Sequence, residues 1–276
     1  MQAKPKVLVV GAGSPNADMV AEVLRSDGVD ADWTDKVRYP SLRRLLKTDV
    51  VYGIYLQTCS RYILAAKLLA KKTIVHFVGS DAYWMKRERS HWRKKYWQLV
   101  LNHCDLIFYV SPHLEELVGR KGICLPFPIS TEAFRRAKRI QTIPDRDILY
   151  YCPSGEANEK IYQLSWILDY ASAHPNEKIT IIGNSSHPAT YPVSLSNVEV
   201  IPFVERVQMP ALYKRHKTLI RMTTEDGLAR MVHEALLSGL SVLYNGKEVS
   251  EIPPEREPQQ FAATFKRAIS GIYRQQ

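Results

Sequence analysis

Asp226 and Glu234 are two carboxylates eight positions apart in the stretch Asp226-Gly-Leu-Ala-Arg-Met-Val-His-Glu234. They follow the apolar run Leu219 to Met222, and a helical pattern runs from Leu228 to Ser238. Eight helical residues rise about 12 Å, which spaces the two acids to accept hydroxyl groups at opposite ends of one extended ligand. Gly227 lets the backbone approach that ligand closely, and the unpaired N–H groups that open a helix suit a diphosphate. The same two residues serve equally well as a helix cap at Asp226 and a solvated face residue at Glu234, so by themselves they leave both readings open.

Residues of this kind need a sheet edge and a helix start to hold them, and the chain alternates between strand and helix twice. In the first half, a strand from Lys6 to Val10 opens onto Gly11-Ala-Gly13 and a helix bearing Met19, Val20, Val23 and Leu24. A strand over Val50 to Tyr55, a helix around Ile63 to Ala70, a strand over Thr73 to Val78, a helix from Ala82 and a strand over Leu106 to Val110 follow. The second half predicts strands at Ile148 to Cys152, Lys178 to Gly183, Val198 to Pro202, Leu219 to Met222 and Ser241 to Tyr244. Helices at Tyr162 to Ala173, Met209 to Arg215 and Leu228 to Ser238 separate them. This is the α/β pattern of two parallel doubly wound sheets, which gather ligands beyond the carboxyl ends of their strands. Between Ile129 and Arg146 the apolar period disappears and Arg135, Arg136, Lys138 and Arg139 cluster, so the segment reads as a domain connection. The expected domains are residues 1–143 and 144–276. A proline- and glutamate-rich stretch, Glu251 to Pro258, precedes a final helix from Gln259 onward.

The stretch from Thr224 to Leu243 resembles the signature of glycosyltransferase family 4, an acid, seven residues and a second acid followed by small residues, here Ala235, Ser238 and Gly239. Asn197-Val-Glu-Val-Ile-Pro-Phe-Val204 and Met209-Pro-Ala-Leu-Tyr213 are similar to the family's approach to that signature, and Asn158-Glu-Lys160 to its phosphate-binding lysine turn. The resemblance covers residues 147 to 246. It implies a GT-B fold, two Rossmann-like domains facing a cleft, with the second taking a nucleoside diphosphate sugar and the first an acceptor. The last helix of this fold commonly returns to the first domain.

It further implies that Asp226 contacts the transferred sugar as the catalytic acid, that Glu234 holds the nucleotide ribose and that Lys160 neutralises the diphosphate. Gly227, Leu228 and Arg230 line the donor. Transfer with retention follows from the family, and neither a metal nor a cofactor beyond the sugar nucleotide is implied. Two positions depart from the pattern: Asp226 is shorter than the usual glutamate, and Gly155 replaces the arginine five residues before the lysine. A diphosphate leaving without a metal needs fixed positive charge, for which Arg230 and Lys247 are the candidates. The alternative is a catalytically weakened homologue that binds sugar nucleotides or serves as a partner subunit.

In the first half, Gly11-Ala-Gly13 lacks the third glycine of the dinucleotide fingerprint, and NAD binding is its competing reading. In GT-B enzymes the corresponding loop faces the cleft, which makes Gly13 a candidate. His76-Phe-Val-Gly-Ser-Asp81 resembles the family's His-x-x-Gly-Ser-Asp stretch and adds His76 and Asp81, beside the readings of a core histidine and a helix cap at Ser80 or Asp81.

Met85 to Trp97 carries six basic residues among three aromatics. Such a segment can rest on an anionic membrane surface, and a solvated helix with its tryptophans on the sheet is the plainer reading. The formal charge of +10 over 276 residues implies an anionic partner. No recognised nucleic-acid module accompanies it, so no nucleic acid is expected. No apolar run reaches membrane-spanning length, and the N-terminus enters a strand without a leader, which predicts a cytoplasmic protein, peripheral on the inner membrane face if a membrane is involved. Cys59, Cys104, Cys124 and Cys152 lack metal or disulfide spacing and are expected to be structural thiols.

Overall fold

A computed structural model describes residues 5–11, 15–129, 131–139, 143–153, 155–183, 194–201, 203–225 and 229–274. The chain divides into two compact units, Met1–Ile129 with Pro253–Gln276, and Ser130–Ile252.

The first unit runs β1 (Lys6–Val10), α1 (Pro15–Ser26), β2 (Asp30–Thr34), α2 (Leu42–Leu46), β3 (Val50–Ile54), α3 (Leu56–Leu68), β4 (Lys72–Phe77), α4 (Ser80–Arg87), α5 (His91–His103), β5 (Leu106–Tyr109), α6 (His113–Val118) and β6 (Ile123–Cys124). Its six strands lie parallel in the order β2-β1-β3-β4-β5-β6. Successive residues of β1, β3 and β4 are buried almost without exception. Both faces of the sheet are therefore covered, which is why these strands read as unbroken apolar runs. The edge strand β2, Asp-Ala-Asp-Trp-Thr, carries no such run and escapes a periodicity reading. Cys59 is buried, whereas Cys124 on the edge strand β6 is exposed.

The second unit runs α7 (Thr131–Arg139), β7 (Arg146–Tyr151), α8 (Glu156–Ile161), α9 (Leu164–Ala173), β8 (Ile179–Ile182), β9 (Val198–Ile201), α10 (Met209–Lys214), β10 (His216–Arg221), α11 (Arg230–Ser238), β11 (Ser241–Tyr244) and β12 (Lys247–Glu248). The sheet order is β12-β11-β10-β7-β8-β9, parallel except for β12.

Four sequence expectations change. The connection expected over Ile129 to Arg146 contains α7, whose Phe134 is buried and meets the ring of Tyr213 at 6.0 Å. Phe134 is the one large apolar residue in that helix, among Arg135, Arg136, Lys138 and Arg139, too little apolar sequence to reveal it, and the unit boundary falls after Ile129, not after residue 143. The helix expected over Tyr162 to Ala173 starts at Leu164, because Gln163 takes φ +48° and breaks the run, and Asn158 to Lys160 belong to α8 and not to a turn.

The chain re-enters the first unit through α12 (Pro258–Arg274). Phe261, Phe265, Ile269 and Ile272 are buried in that unit's core at helical spacing. Phe265 lies 5.2 Å from Tyr52 and 6.0 Å from Phe108 between ring centres. The buried Arg256 donates to the carbonyl of Phe127 at 2.9 Å, and its own carbonyl accepts from the Ile129 N–H at 2.8 Å.

Gly53 on β3 packs directly against α3. An added Cβ would sit 2.4 Å from Cys59 Sγ and 2.5 Å from Cys59 Cβ. Gly53→Ala should therefore destabilise the first unit by about 2 kcal/mol through overpacking. Denaturant titration followed by tryptophan fluorescence checks this, and an unchanged midpoint would show that α3 yields freely.

Candidate functional site

β7 is the first strand of the second sheet. From it the chain lays down β8 and β9 on one side, then returns to place β10 on the other. The loops leaving β7 and β10 therefore diverge from neighbouring carboxyl ends, the place where open α/β sheets take their ligands. Ile220 stands opposite Tyr150, so the two strands finish side by side at Arg221 and Tyr151.

Arg221 is 5% exposed. Its guanidinium carbon lies 4.7 Å from the ring centre of Tyr151 and 5.1 Å from that of Tyr162, and those two rings meet edge to face at 5.3 Å. Nη1 donates to Met231 Sδ on α11 at 3.2 Å. The Arg221 carbonyl accepts from the Asn245 N–H at 2.9 Å, and the Asn245 side chain accepts from the Thr223 N–H at 2.7 Å. Thr224 N–H reaches the Ile161 carbonyl at 2.9 Å. These bonds fasten the loop leaving β10 to the β11–β12 turn and to the end of α8.

Glu234 is buried on α11, so the solvated-face alternative falls away. Its Oε2 accepts from the Tyr213 hydroxyl at 3.2 Å, and Arg206 approaches Oε1 at 3.5 Å. Burial, and then the charge of Glu234, hold the Tyr213 hydroxyl well above its ordinary pKa, so Tyr213 acts as a donor. The helix begins at Arg230, so helical spacing to Glu234 reaches back only that far. Asp226, Gly227 and Leu228 lie outside the described residues.

Lys160 sits in the last turn of α8, largely exposed, with Nζ 2.6 Å from Glu156 Oε1. A solvated i,i+4 pair of this kind is weak and leaves the ammonium available to a stronger anion. Gly155 caps α8 at φ +108°, a backbone that L side chains rarely adopt, and an added Cβ would meet only Asn158 Nδ2 at 3.9 Å. Arg230 is half-buried at the start of α11, and Lys247 is exposed on β12. Among the described residues, no three His, Cys, Asp or Glu side chains are grouped to hold a metal ion. Arg221, Tyr213 and Arg206 escaped the sequence reading. An arginine ending an apolar strand was the one available signal.

In the first unit, Gly13 lies outside the described residues. His76 is fully buried, hydrogen-bonded through Nδ1 to the Tyr52 hydroxyl and 4.4 Å from the Phe127 ring centre. Burial lowers its pKa to about 3, so it stays neutral near neutral pH. Asp81 is also buried. Its carboxylate accepts from Val78 N–H at 2.9 Å, Gly79 N–H at 3.0 Å and Leu56 N–H at 3.3 Å, which ties the turn after β4 to the start of α3. Both side chains thus organise strand ends from within the core.

Among solved structures, sucrose-phosphate synthase from Thermosynechococcus elongatus matches with a TM-score of 0.65 at 12% identity, over 98% of this chain and 91% of that one. Anabaena HepE in complex with UDP matches at 0.60 and 13%, over 96% and 90%. UDP-N-acetylglucosamine 2-epimerase from Rickettsia bellii matches at 0.60 and 10%, over 98% and 97%. The chain has the GT-B fold. At these identities the likeness is one of fold, and the GT-B architecture accounts for the two parallel-sheet units and the return of α12. No family model and no curated protein sequence matches.

Asp81 has a consequence for pH. Burial raises its pKa from 3.8 to about 6, against the lowering effect of its backbone N–H donors. The folded state thus holds this proton more tightly than the unfolded chain, and the stabilisation is complete below about pH 4 and lost as pH rises through about 6. Relative to Asp81→Asn, wild-type stability should fall by about 3 kcal/mol across that window. Denaturation midpoints of the two proteins measured from pH 3.5 to 7 check the sign, and parallel curves would refute it.

Proposed function

We propose that this chain transfers a glycosyl group from a nucleoside diphosphate sugar, with the donor bound by its second unit. The observation that carries the reading is the gathering of Glu234, Lys160 and the Arg221 cluster on elements that leave one carboxyl edge of the second sheet. Carboxylates suit ribose hydroxyls, and cations suit a diphosphate. HepE, of the same fold, is described with UDP, with UDP and glucose, and with UDP-glucose. In this reading Asp226 contacts the transferred sugar, Glu234 the ribose and Lys160 the leaving diphosphate. Gly227, Leu228 and Arg230 complete the donor site, and the resemblance to glycosyltransferase family 4 makes the outcome retention.

The second reading, a weakened homologue that binds sugar nucleotides without turning them over, is favoured by Gly155. The left-handed φ at that position fits glycine and not the arginine of the family pattern. Turnover of labelled nucleotide sugars separates the two readings. Donor binding itself is tested by calorimetric titration of UDP and GDP into wild type and Glu234→Ala. The variant should bind the preferred nucleotide at least about tenfold more weakly, since a hydrogen bond to a charged group is lost. Equal affinity in both proteins would sink the donor reading.

On the acceptor side we infer a lipid-linked acceptor, met at the cytoplasmic face of an anionic membrane. α4 and α5 support this: Trp84 and Trp92 are 65% and 82% exposed, and Lys86, Arg87, Arg89, Arg93, Lys94 and Lys95 are all exposed. Trp97, by contrast, is buried in the core. Exposed indole rings favour the headgroup layer, and each cation near an anionic surface contributes about 1 kcal/mol. No helix among the described residues is long and apolar enough to cross a membrane. Wild type should sediment with phosphatidylglycerol vesicles and not with phosphatidylcholine ones, and Trp84→Ser/Trp92→Ser should weaken that binding. Indifference to lipid charge would remove the membrane reading.

A further inference from the structure

We propose that Arg221 is the fixed cation that receives the donor diphosphate, in place of the arginine that Gly155 replaces. The proposal rests on the donor reading of the second unit and adds to it a residue that the family pattern does not supply.

Geometry is the first support. The loop leaving β7 carries Gly155 at φ +108° where the family pattern has its arginine, so the missing second cation has to come from another element. β10 is the adjacent strand across the point where the sheet reverses its order, and Arg221 is its last residue. Its guanidinium thus stands one strand away from the loop whose charge is missing. Lys247 is less suited, because it lies on β12, separated from β10 by β11. Arg206 is directed at Glu234.

The second support is the way the group is held. Tyr151 and Tyr162 set their rings against the guanidinium, which holds the cation in place. Nη1 is directed at the sulfur of Met231, a weak acceptor. An anionic phosphate oxygen accepts far more strongly, so replacing the sulfur by a phosphate oxygen is favourable. A cation shielded from water to this degree acts through a lower dielectric than Lys160 on its solvated helix face. The two cations therefore divide the work. Arg221 orients the diphosphate, and Lys160, released from Glu156, follows its developing charge.

The third support is anchoring. The carbonyl of Arg221 and the two residues after Met222 are hydrogen-bonded to Asn245 and Ile161. The guanidinium is held at the point where the loop to α11 departs, near the elements that carry Lys160 and Glu234.

The test compares UDP with UMP, and GDP with GMP, by calorimetric titration into wild type, Arg221→Met, Arg221→Lys and Tyr162→Leu, with circular dichroism melts as the folding check. For the base that wild type prefers, Arg221→Met should lose at least about tenfold in affinity for the diphosphate while keeping the monophosphate affinity within about twofold. Arg221→Lys should fall between. Tyr162→Leu, which keeps the charge and removes one covering ring, should lower the diphosphate to monophosphate ratio. Arg221→Met binding the diphosphate as wild type does, or losing both nucleotides equally, would overturn the proposal. If Arg221→Met does not fold, an unchanged ratio in Tyr162→Leu overturns it. Failure of the wild type to bind any of the four nucleotides would instead remove the donor reading, and this proposal with it.

Discussion

Parallel pairing of β7 with β10 is the constraint on which the second unit depends. Because these neighbours are separated in the chain by β8 and β9, their carboxyl ends send their connections in opposite directions, and the sheet cannot close over the gap between them. α8 and α11 start from that gap. Lys160 rides on one and Glu234 on the other, while Arg221 and Tyr151 close the strands between them. A serial βαβ order with no reversal would place the same side chains along a continuous wall. The hydrogen bonds from Asn245 and Ile161 then hold the departing loop, so the crevice edge is part of the folded framework.

Three buried charges show how the fold handles ions that water would otherwise solvate. Asp81 is met by backbone N–H groups alone, which leaves burial the larger effect and lifts its pKa. Glu234 has a neutral hydroxyl and a cation, from Tyr213 and Arg206. Arg221 leans on two aromatic rings and a thioether. Only the first arrangement is saturated by donors from the chain's own backbone, in keeping with a structural task. The latter two draw on side chains near the carboxyl edge of the second sheet.

The two units differ in where their polar residues go. On β3, β4 and the start of α4 in the first unit, Tyr52, His76 and Asp81 are turned inward, and the histidine is kept neutral among Tyr52, Phe108 and Phe127. What this unit presents outward is the cationic, tryptophan-bearing surface of α4 and α5. The predicted basic aromatic segment is in fact two helices with Ser90 capping the second, and its three aromatics divide between core and surface.

Strand runs such as Val7 to Val10 and Ile179 to Ile182 were legible in the sequence because a strand buried on both faces needs apolar side chains without alternation. The order of those runs, the helix bearing Glu234 and the apolar stripe of α12 were legible for the same reason: burial imposes a period on composition. Segments without that demand escaped. β2 is an edge strand, α7 buries Phe134 on a strongly basic helix, and the break at Gln163 depends on one backbone angle. The acid spacing was readable, but whether Glu234 faced water was not, since Tyr213 lies 21 positions away. Arg221 illustrates the limit most clearly. Its meaning comes from Tyr151, Tyr162 and Met231, which reach it from the neighbouring strand, from the cap of α8 and from α11. Periodic burial is a local property that composition must record, whereas the surroundings of a polar group are assembled from distant segments and exist only once the sheet has set their order.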